Sequence, residues 1–214
     1  YFGAYDGNVY ALDAATGAMR WINKDADWIG SSPEIASDLG AVFIGLEFGL
    51  IRKRGGIAAI DLKTGITRWA ARTPALTHGS PLYIAQRNTV VIGSNDGVVY
   101  AYNATSGEPL WTYATGGDIK MRAAYDEKRD QVIFASTDAT CYALDTRTGR
   151  PNFAQLTGGD MYSTPLVLGD TIYISSLDKR IYALDAITGK IQSYFETSGR
   201  IFSSPAYADG SIWI

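Results

Sequence analysis

The apolar positions of this chain come in short runs rather than long helical stripes. Thr89-Val90-Val91-Ile92-Gly93, Gln131-Val132-Ile133-Phe134 and Thr171-Ile172-Tyr173-Ile174 are β-branched or aromatic, and each leads into a turn, the pattern of a buried strand. A second strand follows: Val9-Tyr10-Ala11-Leu12, Val99-Tyr100-Ala101-Tyr102, Cys141-Tyr142-Ala143-Leu144 and Ile181-Tyr182-Ala183-Leu184. Asp6-Gly7 and Asn95-Asp96-Gly97 suit tight hairpins, whose central residues adopt positive φ. No stretch sustains an apolar period of 3.6 residues, so the pattern predicts strands and turns throughout.

The pattern also repeats. Ala-x-Asp-x-x-Thr-Gly, or a close variant, ends at Gly17, Gly65, Gly107, Gly149 and Gly189, giving periods of 48, 42, 42 and 40 residues. A second marker keeps the same spacing: Ser32-Pro33, Ser80-Pro81, Thr164-Pro165 and Ser204-Pro205, with Arg122-Ala123 in the third slot. Four residues beyond the motif glycine stands a large aromatic, Trp21, Trp69, Trp111 or Phe153. Four short strands in a unit of about 40 residues describe a blade of an all-β propeller, with residues 1–214 as a single propeller domain or part of one. The turn Asp or Asn is expected to accept backbone N–H groups, and the small motif alanine to let the aromatic lie over it between blades.

Composition narrows the function. Of 214 residues, 46% are hydrophobic, too many for a disordered segment, and the apolar runs are too short for a membrane-spanning helix. With 19 basic and 22 acidic side chains there is no basic surplus of the kind a nucleic-acid binder needs. One cysteine and one histidine cannot build a disulfide or a zinc cage, and the five turn Asp or Asn residues are too far apart in sequence for a calcium loop. No metal site and no catalytic residue is therefore assigned.

Val9-Tyr10-Ala11-Leu12-Asp13-Ala14-Ala15-Thr16-Gly17-Ala18-Met19-Arg20-Trp21 resembles the tryptophan-docking repeat of the PQQ-like β-propellers, and the resemblance covers the whole chain. That superfamily includes quinoprotein dehydrogenases, BamB-like assembly scaffolds and sensor or surface proteins. The resemblance implies the scaffold, while activity lies in the loops. It also implies an extracytoplasmic setting, periplasmic or at the cell surface. The quinoprotein branch would bring PQQ and calcium, held with the help of two adjacent cysteines. This chain has no Cys-Cys pair, and Cys141 reads as a small buried hydrophobe. The reading is a non-catalytic scaffold without cofactor, binding a protein partner or an anionic ligand, with a fragment of a PQQ-dependent oxidoreductase as the alternative.

Positions that differ among the copies are free to carry function. Three residues before the marker Pro or Ala the copies read Gly30, His78, Lys120, Tyr162 and Phe202; one residue before it, Ser32, Ser80, Arg122, Thr164 and Ser204. Lys120 and Arg122 are expected on one side of an inner strand, forming with His78 and Tyr162 a basic arc at the channel mouth that binds an anionic group. The plainer alternative pairs Lys120 and Arg122 with Asp118, Asp126 or Asp160. The unit of 48 residues carries a lengthened hairpin whose Phe48, Arg52, Lys53 and Arg54 are candidates for a partner-docking loop beside the arc. Finally, Tyr1-Phe2 and Trp213-Ile214 fall in the same slots of the repeat. The chain is thus expected either to close as a five-bladed ring or, as the resemblance implies, to be a piece of a propeller of about seven or eight blades.

Overall fold

The computed structural model describes residues 1–49 and 53–214. Its first sheet is β1 (Phe2–Gly3), β2 (Val9–Leu12) and β3 (Met19–Asn23). The second is β4 (Glu34–Ala36), β5 (Ala41–Phe48), β6 (Arg54–Asp61) and β7 (Thr67–Thr73). The third is β8 (Leu82–Ile84), β9 (Thr89–Gly93), β10 (Val98–Asn103) and β11 (Pro109–Ala114). Then come β12 (Ala124–Asp126), β13 (Gln131–Ala135), β14 (Thr140–Asp145) and β15 (Pro151–Leu156), followed by β16 (Leu166–Leu168), β17 (Thr171–Ser175), β18 (Arg180–Asp185) and β19 (Ile191–Glu196). A last pair is β20 (Ala206–Ala208) and β21 (Ser211–Trp213). Each four-stranded sheet is an antiparallel meander, and the leading strands β4, β8, β12 and β16 touch their counterparts in neighbouring sheets. They form the inner wall of a propeller.

The core lies between blades. Val9, Ala11, Trp21 and Ile29 of the first unit pack with Val42, Ile44, Ala58 and Ile60 of the second sheet, and similar layers fill the next three junctions. Each junction turns on one device. The motif alanine lies directly opposite the aromatic, as in Ala59↔Trp69 and Ala101↔Trp111, with a register shift one residue later. The ring then reaches over the next blade's turn: Trp21 covers Gly65, where a Cβ would come within 2.6 Å of the indole. Gly65 also has φ +73°, so both its backbone and its bare face are required. The indole N–H donates to the carbonyl just after the turn Asp or Asn, Trp21 to Leu62 at 3.0 Å, Trp69 to Ala104 at 3.1 Å and Trp111 to Thr146 at 2.8 Å.

At the fourth junction the ring is Phe153, which has no N–H to give. Gln131, 2% exposed, takes over: its Nε2 donates to the Ala186 carbonyl at 2.8 Å, and its Oε1 accepts from Asn152 at 2.9 Å. In the fifth unit the residue opposite the motif alanine, Ala183, is Ser193, and every residue of β19 is exposed.

The turn acids act as expected. Asp13 Oδ1 accepts the N–H groups of Ala15 and Thr16 and the Thr16 hydroxyl, all at 3.0 Å, and Asp61, Asp145 and Asp185 do the same in their turns. Arg20 and Arg68, with these turn groups, hold the Asp13 and Asp61 carboxyls well below the usual carboxylate range. Asn103-Ala104-Thr105 forms the corresponding turn of the third unit, its Asn103 Oδ1 accepting from the Thr105 and Ser106 N–H groups. Cys141 is fully buried, as its sequence context predicts. β1 and β21 stand in separate sheets, so the two ends do not pair into a closed five-bladed ring.

Candidate functional site

The segments entering β4, β8 and β12 bring residues from three blades around one cavity of about 720 Å³. Its walls include Gly30, Glu34, His78, Lys120 and Arg122, with Tyr5 at one side. Lys120 and Arg122 sit ahead of β12 rather than within it, because the chain reaches Ala124 before it pairs with β13. Both nevertheless line the cavity. Tyr162 is not part of the wall but stands behind Lys120, whose Nζ lies 5.3 Å from the ring centroid, and it packs against Phe202 with centroids 6.1 Å apart.

The arc is less basic than its sequence implies, because each cation has a carboxylate. Lys120 Nζ is 3.1 Å from Asp118, as the plainer alternative expects. Arg122 instead reaches two blades back: its Nη2 donates to Glu34 Oε1 at 2.7 Å and its Nε to the Pro81 carbonyl at 3.1 Å. Glu34 Oε1 also accepts the Tyr83 N–H at 3.2 Å, so this one carboxylate ties together three blades. Asp126, another expected partner, is taken by Arg129 at 2.8 Å. Burial pulls the Lys120 ammonium down, but Asp118 and Tyr162 outweigh it and leave its pKa raised, so Lys120 stays charged at neutral pH.

His78, the only histidine, places Nδ1 2.6 Å from Glu47 Oε1. Glu47 lies near the end of β5 and is 2% exposed; the contact has the separation of an ion pair, yet no aligned donor serves that buried oxygen. Ser32 and Thr164 have a different task, their N–H groups donating to Ser80 Oγ at 2.9 Å and Ser204 Oγ at 2.8 Å across blade junctions.

The lengthened hairpin β5–β6 rises beside this mouth, tied to it by the Glu47–His78 contact and by the pairing of Trp28 with Glu47. Phe48 is half-buried, with the Arg72 guanidinium 3.4 Å from its ring centroid, so it is already partnered within the chain. Lys53 and Arg54 are exposed, and Arg52 lies outside the described residues. Sequence reasoning missed Glu34 and Glu47. A signal for Glu34 was present: it follows Pro33 where the other copies have Leu82, Ala124, Leu166 and Ala206.

A family model described as "Outer membrane protein assembly factor BamB" matches residues 5–126 and again 95–207. The chain belongs to this family of PQQ-like propellers. Comparison with curated protein sequences finds no match. Among solved structures, the computationally designed Ika8 protein superposes with a TM-score of 0.79 at 16% identity, covering 98% of this chain and 62% of that one. BamB from Moraxella catarrhalis gives 0.57 at 22% identity, covering 98% and 74%. The quinohemoprotein alcohol dehydrogenase ADHIIG from Pseudomonas putida HK5 gives 0.70 at 19% identity, covering 88% and 39%. These likenesses describe the fold, and the chain spans about three-fifths of the Ika8 chain and about two-fifths of the dehydrogenase.

For a PQQ-like propeller, the quinone and calcium of the enzymatic branch can be tested against the residues present. Cys141 is buried in β14, and burial pushes its thiol up to about 12, which makes it an inert side chain with no cysteine beside it. Glu34 is held by Arg122, and Glu47 lies against His78. Among the described residues no three His, Cys, Asp or Glu side chains are grouped to hold a metal ion. Among the described residues there is neither a pair of adjacent cysteines nor a grouped set of carboxylates. No helix among the described residues is long and apolar enough to cross a membrane.

Proposed function

We propose that this chain is a non-catalytic propeller module that binds a protein partner or an anionic ligand by a carboxylate group at the channel mouth, in an extracytoplasmic compartment. One observation carries the reading: residues alike in the copies serve blade junctions and turns, whereas Gly30, Glu34, His78, Lys120 and Arg122, which break the repeat, converge on one cavity. Lys120 keeps its charge and has one carboxylate partner, so its remaining protons are available to a ligand. Arg122 uses Nε and Nη2 on the protein and can still donate from Nη1. Lys53 and Arg54 on the neighbouring hairpin add exposed positive charge for an acidic stretch of a partner. The assembly-factor description of the family supports a protein partner and the extracytoplasmic setting.

Calorimetry with the blocked peptide Ac-Ala-Asp-Ala-NH2 tests this. Saturable binding that weakens about tenfold in Lys120→Met is expected, the loss of one charge-assisted hydrogen bond. No binding, or equal binding by that variant, overturns the reading. Addition of PQQ with calcium is expected to give neither a bound chromophore nor substrate-dependent dye reduction.

A further inference from the structure

The slot that supplies His78 and Lys120 to the cavity continues along the chain as Tyr162 and Phe202. All four stand three residues before the marker Pro or Ala, so the rim of the channel changes from charged to aromatic as it passes from blade to blade. The contacts follow the same order. Lys120 Nζ lies 5.3 Å from the centroid of the Tyr162 ring, and the Tyr162 and Phe202 rings, tilted by 50°, have centroids 6.1 Å apart. Thr164, which lines the cavity, donates its N–H to Ser204 Oγ at 2.8 Å and so holds the two ring-bearing segments side by side.

The core does not hold these rings in place. In each segment the residue just before the rim slot is the buried one, Ile119, Met161 or Ile201, whereas Phe202 is 60% exposed. A single exposed apolar side chain would be ordinary, but two adjoining rings beside an ammonium form a surface of the kind that protein interfaces favour. Charge on this side balances. Asp160 and Arg200, both exposed, stand two residues before Tyr162 and Phe202. With one of each sign, this part of the rim has no net charge to draw a second carboxylate, and what it offers beyond Lys120 is ring surface.

Resting on the channel-mouth reading above, we propose that the rim binds an extended segment of a partner protein that carries a carboxylate and an aromatic side chain with one residue between them. The carboxylate sits against Lys120 at the cavity, and the aromatic ring packs on Tyr162 and Phe202. Side chains two residues apart in an extended chain share a face and are separated by about 7 Å. That reach spans the step from the Lys120 ammonium to the paired rings.

The test is calorimetry with the blocked peptides Ac-Asp-Ala-Phe-NH2 and Ac-Phe-Ala-Asp-NH2, each compared with its counterpart in which Phe is replaced by Ala, and with Ac-Ala-Ala-Phe-NH2. At least one aromatic peptide is expected to bind about tenfold tighter than its alanine counterpart, the gain from one well-packed aromatic contact. Ac-Ala-Ala-Phe-NH2, which lacks the carboxylate, should bind about tenfold more weakly than the better of the two. Phe202→Ala is expected to bring the aromatic and alanine peptides to nearly equal affinity, with thermal melts confirming that the variant folds. If the Asp peptides bind without regard to the aromatic residue, the aromatic proposal falls and the anion reading stands. If Phe202→Ala folds and keeps the full preference, the ring surface is refuted. If Ac-Ala-Ala-Phe-NH2 binds as tightly as the Asp-containing aromatic peptides, or if no peptide binds, both readings fall.

Discussion

Replacing Gln131 by Leu isolates the one junction where the tryptophan device is rebuilt from other parts. At three junctions an indole N–H closes the carbonyl after the turn Asp or Asn; at the fourth, Gln131 does so at 2.8 Å because Phe153 cannot. Ala186 is fully buried, so Gln131→Leu strands its carbonyl away from water and also removes the bond from Asn152. A buried acceptor left unpaired costs about 1–3 kcal/mol, and for a chain of this size about 2 kcal/mol corresponds to a fall of roughly 4–8 °C in Tm. Phe153→Trp combined with Gln131→Leu restores an N–H at the place the other blades use, so it should recover about 1 kcal/mol there and little or nothing when Gln131 is present. Thermal and urea unfolding of the four proteins in this cycle measures the coupling. An unchanged melting temperature for Gln131→Leu, or equal effects of Phe153→Trp in both backgrounds, would refute the exchange of roles.

Other expectations come from the same contacts. Trp69→Phe removes the bond to the Ala104 carbonyl while keeping a ring over Gly107, and urea titration should show a loss of about 1 kcal/mol. Arg122→Met is expected to cost about 1 kcal/mol, at the low end because the Glu34 pair is partly solvated, whereas Lys120→Met should leave thermal stability nearly unchanged and weaken ligand binding instead. The Asp13 and Asp61 carboxyls are depressed in the folded state, so their contribution is complete above the ordinary value of 3.8 and is lost as pH falls through the folded values. A melting temperature that holds down to about pH 5 and drops in stronger acid checks that sign. Cys141, its thiol pushed up to about 12 by burial, should react with thiol reagents only after unfolding.

Much of the fold is legible because a repeat displays its own alignment. Gly65, Gly107 and Gly149 sit under rings that follow Gly17, Gly65 and Gly107 by four residues, so one pattern carries both halves of each contact. The convergence of His78, Lys120 and Arg122 is legible for the same reason, since equal slots in adjacent blades face one channel. The pairing within the arc is not. Arg122 selects Glu34, 88 positions away, over nearby Asp126 because blade curvature brings β4 to β12 and Arg129 has already taken the aspartate. Glu47 escapes notice because it lies in the lengthened hairpin of the 48-residue unit, and Gln131 because its task is set by the ring that Phe153 lacks. The register of terminal strands is legible, but their pairing is not: Tyr1-Phe2 and Trp213-Ile214 share slots in the repeat while β1 and β21 stay in separate sheets.

The lone histidine offers the most direct measurement of all. His78 is the only imidazole in the chain and lines the channel mouth, so its ring resonances in an NMR titration report on that cavity without assignment of the rest of the protein. A carboxylate-bearing peptide that binds at the mouth should shift them saturably in the native protein and far less in Lys120→Met. Resonances that stay fixed while the peptide binds elsewhere, or that move equally in both proteins, would contradict a binding site at the channel mouth.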